Sequence, residues 1–209
     1  MPLQNRVTPE GQIVAVAERG TMLGNRGGCF HRPDQTLLPR QFASRQWICC
    51  VLQFKQRRRS LMQPGRYTEL FFLDEVTAMA AGHRPCFECR RSAAVHFAEL
   101  WQATEGSGGR AAAPRMDDRL QAERLDAKGR KVVFQARIAE LPDGSFVRHR
   151  GVATMVRAGS LMPWSFKGYG SSYAITAKTL VDVLTPRSIV QVLRAGFKPG
   201  VHQSAGELQ

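Results

Sequence analysis

Leu73-Asp74-Glu75-Val76-Thr77-Ala78-Met79-Ala80-Ala81-Gly82-His83-Arg84-Pro85-Cys86-Phe87-Glu88-Cys89-Arg90 carries the densest set of structural signals in this 209-residue chain. Asp74 can accept hydrogen bonds from the orphan amides of a first helical turn, which predicts a short helix over residues 75–81. Gly82, free to take left-handed backbone, stops it. The Cys86-x-x-Cys89 spacing then lets two sulfurs face one point, and the thiolates of a structural zinc site lie about 2.3 Å from the metal. The same spacing serves thiol–disulfide enzymes, where it follows a strand and opens a helix. Here a helix, a glycine stop and a proline precede it and Arg90-Arg91 follows it. That knuckle context ranks zinc above redox chemistry.

Upstream, residues 12–17 predict a short buried strand and residues 20–28 a glycine-rich turn that lacks the spacing of a nucleotide P-loop. Trp47-Ile48-Cys49-Cys50-Val51-Leu52-Gln53-Phe54 is the strongest strand signal, and it runs into Lys55-Gln56-Arg57-Arg58-Arg59. Pro64-Gly65 turns the chain, so residues 67–73 are expected to return as the second arm of a hairpin.

Downstream, residues 92–103 read as an amphipathic helix, and Glu105-Gly106-Ser107-Gly108-Gly109-Arg110 is the one linker-like stretch. It suggests a zinc-binding unit over residues 1–104, a linker over 105–113 and a basic unit over 114–209. Pro114 suits the first turn of another helix. Residues 131–140 and 146–156 flank Pro142-Asp143-Gly144 as a second expected hairpin, with Arg148 and Arg150 on one side by period-two counting. Residues 161–172, with Trp164, Phe166 and Tyr169, form an aromatic loop, either a binding surface or a lid. Residues 179–184 read as a strand, Thr185 as a cap, Pro186 as a first helical position and Gly196 as the helix stop. Five strands and four helices give an α+β fold class: a small zinc-knuckle α/β unit followed by a hairpin-rich α+β unit.

Thirty Lys and Arg against 17 Asp and Glu leave a net charge of +13. The excess is uneven: +8 over residues 1–66 (11 basic, 3 acidic), −3 over 67–126 (7 and 10) and +8 over 127–209 (12 and 4). Folded elements that present a positive face give such a pattern, and arginine outnumbers lysine 24 to 6. Arginine forks two hydrogen bonds to a phosphate, although a GC-rich genome produces the same bias. No apolar run approaches the roughly 20 residues of a membrane span, and Met1-Pro2-Leu3-Gln4-Asn5 lacks the apolar core of a signal peptide. A cytoplasmic protein without a membrane partner is expected. Its five cysteines are then reduced, so disulfides are the lesser explanation.

Residues 73–90 resemble the second half of the metal-binding domain of Ada-type DNA-repair proteins, in which an alanine-rich helix leads to Gly-aromatic-Arg-Pro-Cys-x-x-Cys-Arg. The match covers about 20 residues; the remainder looks like a different bacterial family. The resemblance implies zinc on Cys86 and Cys89, with a further pair of ligands upstream. At that point the chain departs from the pattern, having adjacent Cys49-Cys50 with Cys29 and His31 farther back. Neighbouring strand residues face opposite ways, so one of Cys49 and Cys50 is expected in the core. The expected site is Cys50, Cys86, Cys89 and His31 around Zn2+, with Cys29 as the substitute for His31. Cys50 lies in an apolar run, so the methyl-acceptor role of an upstream Ada cysteine is not carried over.

Three functions follow. The first is a zinc-stabilised protein that binds nucleic acid, DNA before RNA, through Arg57, Arg58, Arg59, Arg90, Arg91, Arg148 and Arg150. The second is a nucleic-acid-processing enzyme with a structural zinc, for which no catalytic motif stands out. The third is an interaction or regulatory factor that uses the aromatic loop.

Overall fold

A computed structural model describes residues 1–56, 60–106 and 108–206. Arg57, Arg58 and Arg59 lie outside the described residues. The fold is α+β, with two sheets and four α-helices among the described residues.

The first sheet has the order β2 (Ile13–Ala15), β1 (Gln4–Val7), β5 (Leu70–Phe72), β3 (Met22–Arg26), β4 (Trp47–Val51), β6 (Arg84–Pro85). The β1–β5 and β4–β6 pairs are parallel, the others antiparallel. The expected hairpin between residues 47–54 and 67–73 is therefore corrected, because β3 lies between its arms, with Leu23 opposite both Cys50 and Phe71. Its glycine is what admits it there: a Cβ on Gly24 would lie 2.4 Å from the Ile48 carbonyl oxygen and 2.8 Å from the Phe72 ring. The stretch that looked like a turn is a central strand.

The second sheet is antiparallel, in the order β11 (Gly168–Tyr169), β10 (Ser160–Ser165), β9 (Val152–Arg157), β8 (Phe146–His149), β13 (Leu180–Val183), β7 (Phe134–Arg137), with β12 (Tyr173–Ala174) also on β10. Residues 131–140 do not pair with 146–156, since β13 separates β7 from β8. Instead β8 and β9 form their own hairpin across Arg150 and Gly151, both at positive φ (51° and 78°). Arg148 and Arg150 consequently share no strand face. The aromatic loop is β10 and β11, with Trp164 opposite Tyr169.

The helices are α1 (Glu75–Ala80), α2 (Arg91–Thr104), α3 (Ala113–Arg124) and α4 (Arg187–Arg194). Asp74 caps α1 and Gly82 ends it at φ +86°, as expected. Thr185 does not cap α4; its hydroxyl accepts from the Phe146 amide at 2.8 Å. All six residues of α1 are buried, which accounts for a helix with no polar stripe. Ala78 packs in the cluster beneath the first sheet, Val76 and Ala80 against the second sheet, and Met79 against α2, α3 and α4. Clusters around α1 thus mix residues from both sides of the 105–113 stretch, for example Trp101 with Leu120 and Ile189.

Candidate metal centre

Alternation along β4 separates the adjacent cysteines. Cys49 shares the buried face with Trp47 and belongs to the cluster under the first sheet, fully buried. Cys50 shares the opposite face with Ile48, toward Leu23 and Phe71. The parallel register sets Cys49 beside Pro85 and the Cys86 amide donates to the Cys49 carbonyl at 3.0 Å, so the next residue of each strand, Cys50 and Cys86, comes together. The Arg90 amide then closes on the Cys86 carbonyl at 3.0 Å, and the Glu88 amide points at the Cys86 sulfur at 3.4 Å. That turn carries Cys89 back toward the pair.

The sulfurs of Cys50, Cys86 and Cys89 all lie within 4.8 Å of one another, close enough for three ligands of one metal ion. Thiolates at about 2.3 Å in a tetrahedron stand about 3.8 Å apart, so only a slight contraction is needed. Cys86 is set up as a thiolate: a hydrogen bond from Cys50 first, then the amides of Cys89 and Glu88, against the opposing effect of burial, bring its pKa down to about 5. Donating that bond, together with burial, pushes the Cys50 thiol up. Burial also raises Cys89 and Cys49. Spacing brings Cys86 and Cys89 together, and alternation separates Cys49 from Cys50; which of the two meets the turn is decided by the packing on each face of β4.

His31 is not brought to this cluster. Its Nδ1 meets Thr68 Oγ1 at 2.7 Å, its Nε2 meets the Gln63 carbonyl at 3.3 Å, and Cys29 Sγ lies 3.7 Å from Nδ1. A bridge between His31 and Leu37 holds this histidine in another loop, and the structure brings neither His31 nor Cys29 into the close group of Cys50, Cys86 and Cys89. Among the described residues no fourth His, Cys, Asp or Glu joins the three cysteines. They open instead on a cavity of about 550 Å³ walled by Leu23, Ile48, Leu52 and Phe71, with buried Glu69 at its edge.

The arginines divide. Arg90 clasps Glu75 through both carboxylate oxygens, at 2.5 and 2.6 Å, and ties the cysteine turn to α1 instead of facing solvent. Arg91 is exposed at the start of α2, Arg150 is exposed at the β8–β9 turn, and Arg148 approaches Asp182 at 3.9 Å. A second cavity, about 530 Å³, takes in Arg148 together with Arg26, Arg40, Lys128, Arg130 and Lys131. The run Lys128-Gly129-Arg130-Lys131 is the one signal for it within a short stretch of sequence; Arg26, at the end of β3, and Arg40, in a loop, come from distant segments.

No family model matches the chain, and no curated protein or solved structure does either. None of the helices among the described residues is long and apolar enough to cross a membrane.

Proposed function

We propose that this chain is a zinc-stabilised basic protein that binds nucleic acid, DNA before RNA, by contacts to phosphate. The observation that carries the reading is charge. Were every one of the 17 carboxylates given a cation, 13 of the 30 cations would remain, 30 − 17, on a protein whose elements are folded. Such an excess attracts a polyanion and releases its counterions, so the affinity depends on salt more than on base sequence. Zinc fits three thiolates better than a hard cation does, and the resemblance of residues 73–90 to an Ada-type metal domain supports the same choice. The ion would pin β4 to the corner between β6 and α2.

Anisotropy of a labelled duplex, with the matching RNA beside it, tests the reading between 50 and 200 mM salt. Log affinity is expected to fall linearly with log salt, and alanine at Arg91 and Arg150 is expected to lower the slope by about 1 each. Absence of binding at 50 mM, or affinity that ignores salt, overturns it. A second reading, an enzyme acting on nucleic acid, is favoured by one feature: three cysteine donors face a cavity, as in zinc sites that keep a coordination position for substrate.

A further inference from the structure

The second cavity lies on a different part of the surface chemistry from the cysteine centre: the two share no lining residue. Its wall is built from Glu10, Gly11 and Gln12 after β1, Arg26 at the end of β3, residues 39–42, residues 125 and 128–131 after α3, and Arg148 on β8. Six of these side chains are cations and one, Glu10, is a carboxylate. Asp126 engages Arg130 from outside the wall at 2.7 Å, and Arg148 reaches Asp182 only at 3.9 Å.

Arg26 is only 2% exposed, yet its donors end on neutral groups: the Gly11 carbonyl at 2.8 Å, the Gln41 carbonyl at 3.4 Å and the His83 ring at 3.5 Å. Its guanidinium lies 3.9 Å from the Trp47 ring centre, and that ring also takes Arg124 at 4.1 Å. Among the described residues neither arginine has an ion pair with a carboxylate; Asp117 acts on Arg124 from beyond ion-pair distance, and Arg124 stands behind the cavity wall without lining it, so Arg26 is the unpaired one of the two at the cavity. Lys131, half-buried, donates to the Ala80 carbonyl at 2.5 Å. Burying a cation without a counterion is costly, and a fold that gathers several of them beside an open cavity leaves the counterion to come from outside. Burial, the largest cause, with Arg26, Arg124 and Arg148 adding to it and Glu10 opposing it, brings the Lys131 ammonium down to about 7.

We infer that this cavity binds a phosphate monoester of nucleotide size. A concave site with cations converging from four segments suits a terminal phosphate, with charge on all sides, better than a diester embedded in a continuous backbone. The volume is that of a small-ligand pocket, and Phe42, Pro39 and Leu125 provide an apolar wall for a base or sugar. The site stands whether or not the protein binds nucleic acid internally. Its ligand is a free nucleotide or the phosphorylated end of a strand.

Calorimetric titration with AMP, adenosine and inorganic phosphate tests this, alongside one oligonucleotide with and without a 5′-phosphate. AMP is expected to bind at least tenfold more tightly than adenosine, with inorganic phosphate between them. Exposed rim changes, Arg40→Ala with Lys128→Ala, should weaken AMP at least tenfold, as should Lys131→Met, with unchanged circular dichroism; Lys178→Ala, outside the cavity, should not. A tenfold gain from the 5′-phosphate identifies strand ends as the source, and no gain identifies free nucleotides. Equal affinity for AMP and adenosine, or AMP binding indifferent to the rim changes, overturns the inference. Salt-dependent DNA binding without AMP binding also overturns it and leaves the nucleic-acid reading standing; the converse result does the reverse.

Discussion

Arg84 on β6 grips Asp117 on α3 through two hydrogen bonds, Nε to Oδ1 at 2.9 Å and Nη2 to Oδ2 at 2.7 Å, with both side chains almost wholly buried. Thirty-three residues separate them, and the pair fastens the strand that leads into the cysteine turn to a helix beyond the glycine-rich stretch. Removing one partner of a buried pair strands the other charge, at a cost of about 3 kcal/mol. Asp117→Asn should therefore lower Tm by about 6–12 °C in a chain of this size. The double change Arg84→Met with Asp117→Leu should cost less than either single change, because no charge is left unpaired. Thermal melts of Asp117→Asn, of Arg84→Met and Asp117→Leu singly, and of the double variant check it; additive losses would show that the pair acts through packing alone.

Asp74 is a second fastening. Its Oδ1 accepts from the Thr77 amide at 2.9 Å and the Thr77 hydroxyl at 2.6 Å, while Oδ2 accepts from the Tyr169 hydroxyl at 2.8 Å and the His202 amide at 2.9 Å. One carboxylate thus caps α1 and holds β11 and the segment leading to residues 203–205. Asp74→Ala should cost more than an ordinary cap, about 3 kcal/mol against about 1, since buried donors on three segments lose their acceptor. Tyr169→Phe removes one of those bonds and should cost about 1 kcal/mol. Denaturant titration gives both values.

The metal centre makes a selective prediction. Cys50→Ser, Cys86→Ser and Cys89→Ser should each abolish stoichiometric zinc, while Cys49→Ala, Cys29→Ala and His31→Ala should each retain it. The contrast between Cys49 and Cys50 is the sharpest, because the two differ only in the face of β4 they occupy. Elemental analysis of protein purified without chelator provides the count. Zinc lost from Cys49→Ala but kept in Cys50→Ser would reverse the strand alternation on which the site is built.

Local signals survived folding where their physics is local. Asp74, Gly82 and Cys86-x-x-Cys89 act within a few residues, and each stands where its chemistry placed it. That only one of Cys49 and Cys50 can face the turn was legible for a similar reason, since a two-residue period needs no knowledge of the partner strand; which one it is depends on what packs against each face of β4. Strand order was not legible. Both expected hairpins had a third strand between their arms, β3 in one and β13 in the other, and nothing near Pro64-Gly65 or Pro142-Asp143-Gly144 encodes an insertion from so far along the chain. Gly24 misled because a glycine that admits close strand packing looks the same in sequence as one that makes a turn. The place of His31 was not legible on the same ground: its distance from Cys86 depends on loops whose paths are set by tertiary contacts. The basic cavity draws Arg26, Arg40, Lys131 and Arg148 from four segments, so only the Lys128-Gly129-Arg130-Lys131 cluster hinted at it.

Lys131 links that cavity to stability through pH. Its pKa, about 10.4 in an unfolded chain, falls to about 7 in the fold, chiefly by burial. Between those values the unfolded state holds a proton that the native state has released, so unfolding free energy rises with pH across the window and is flat for this group on either side. With partial exposure discounted, the gain from pH 7 to 10 is about 2 kcal/mol. Other groups titrate as well, so the quantity to measure is a difference: Tm of wild type minus Tm of Lys131→Met at pH 7, 8, 9 and 10, which should rise with pH. A bound phosphate restores the ammonium and should flatten that rise when AMP is present. A difference that stays level, or falls, would mean the Lys131 side chain is charged in the native protein throughout.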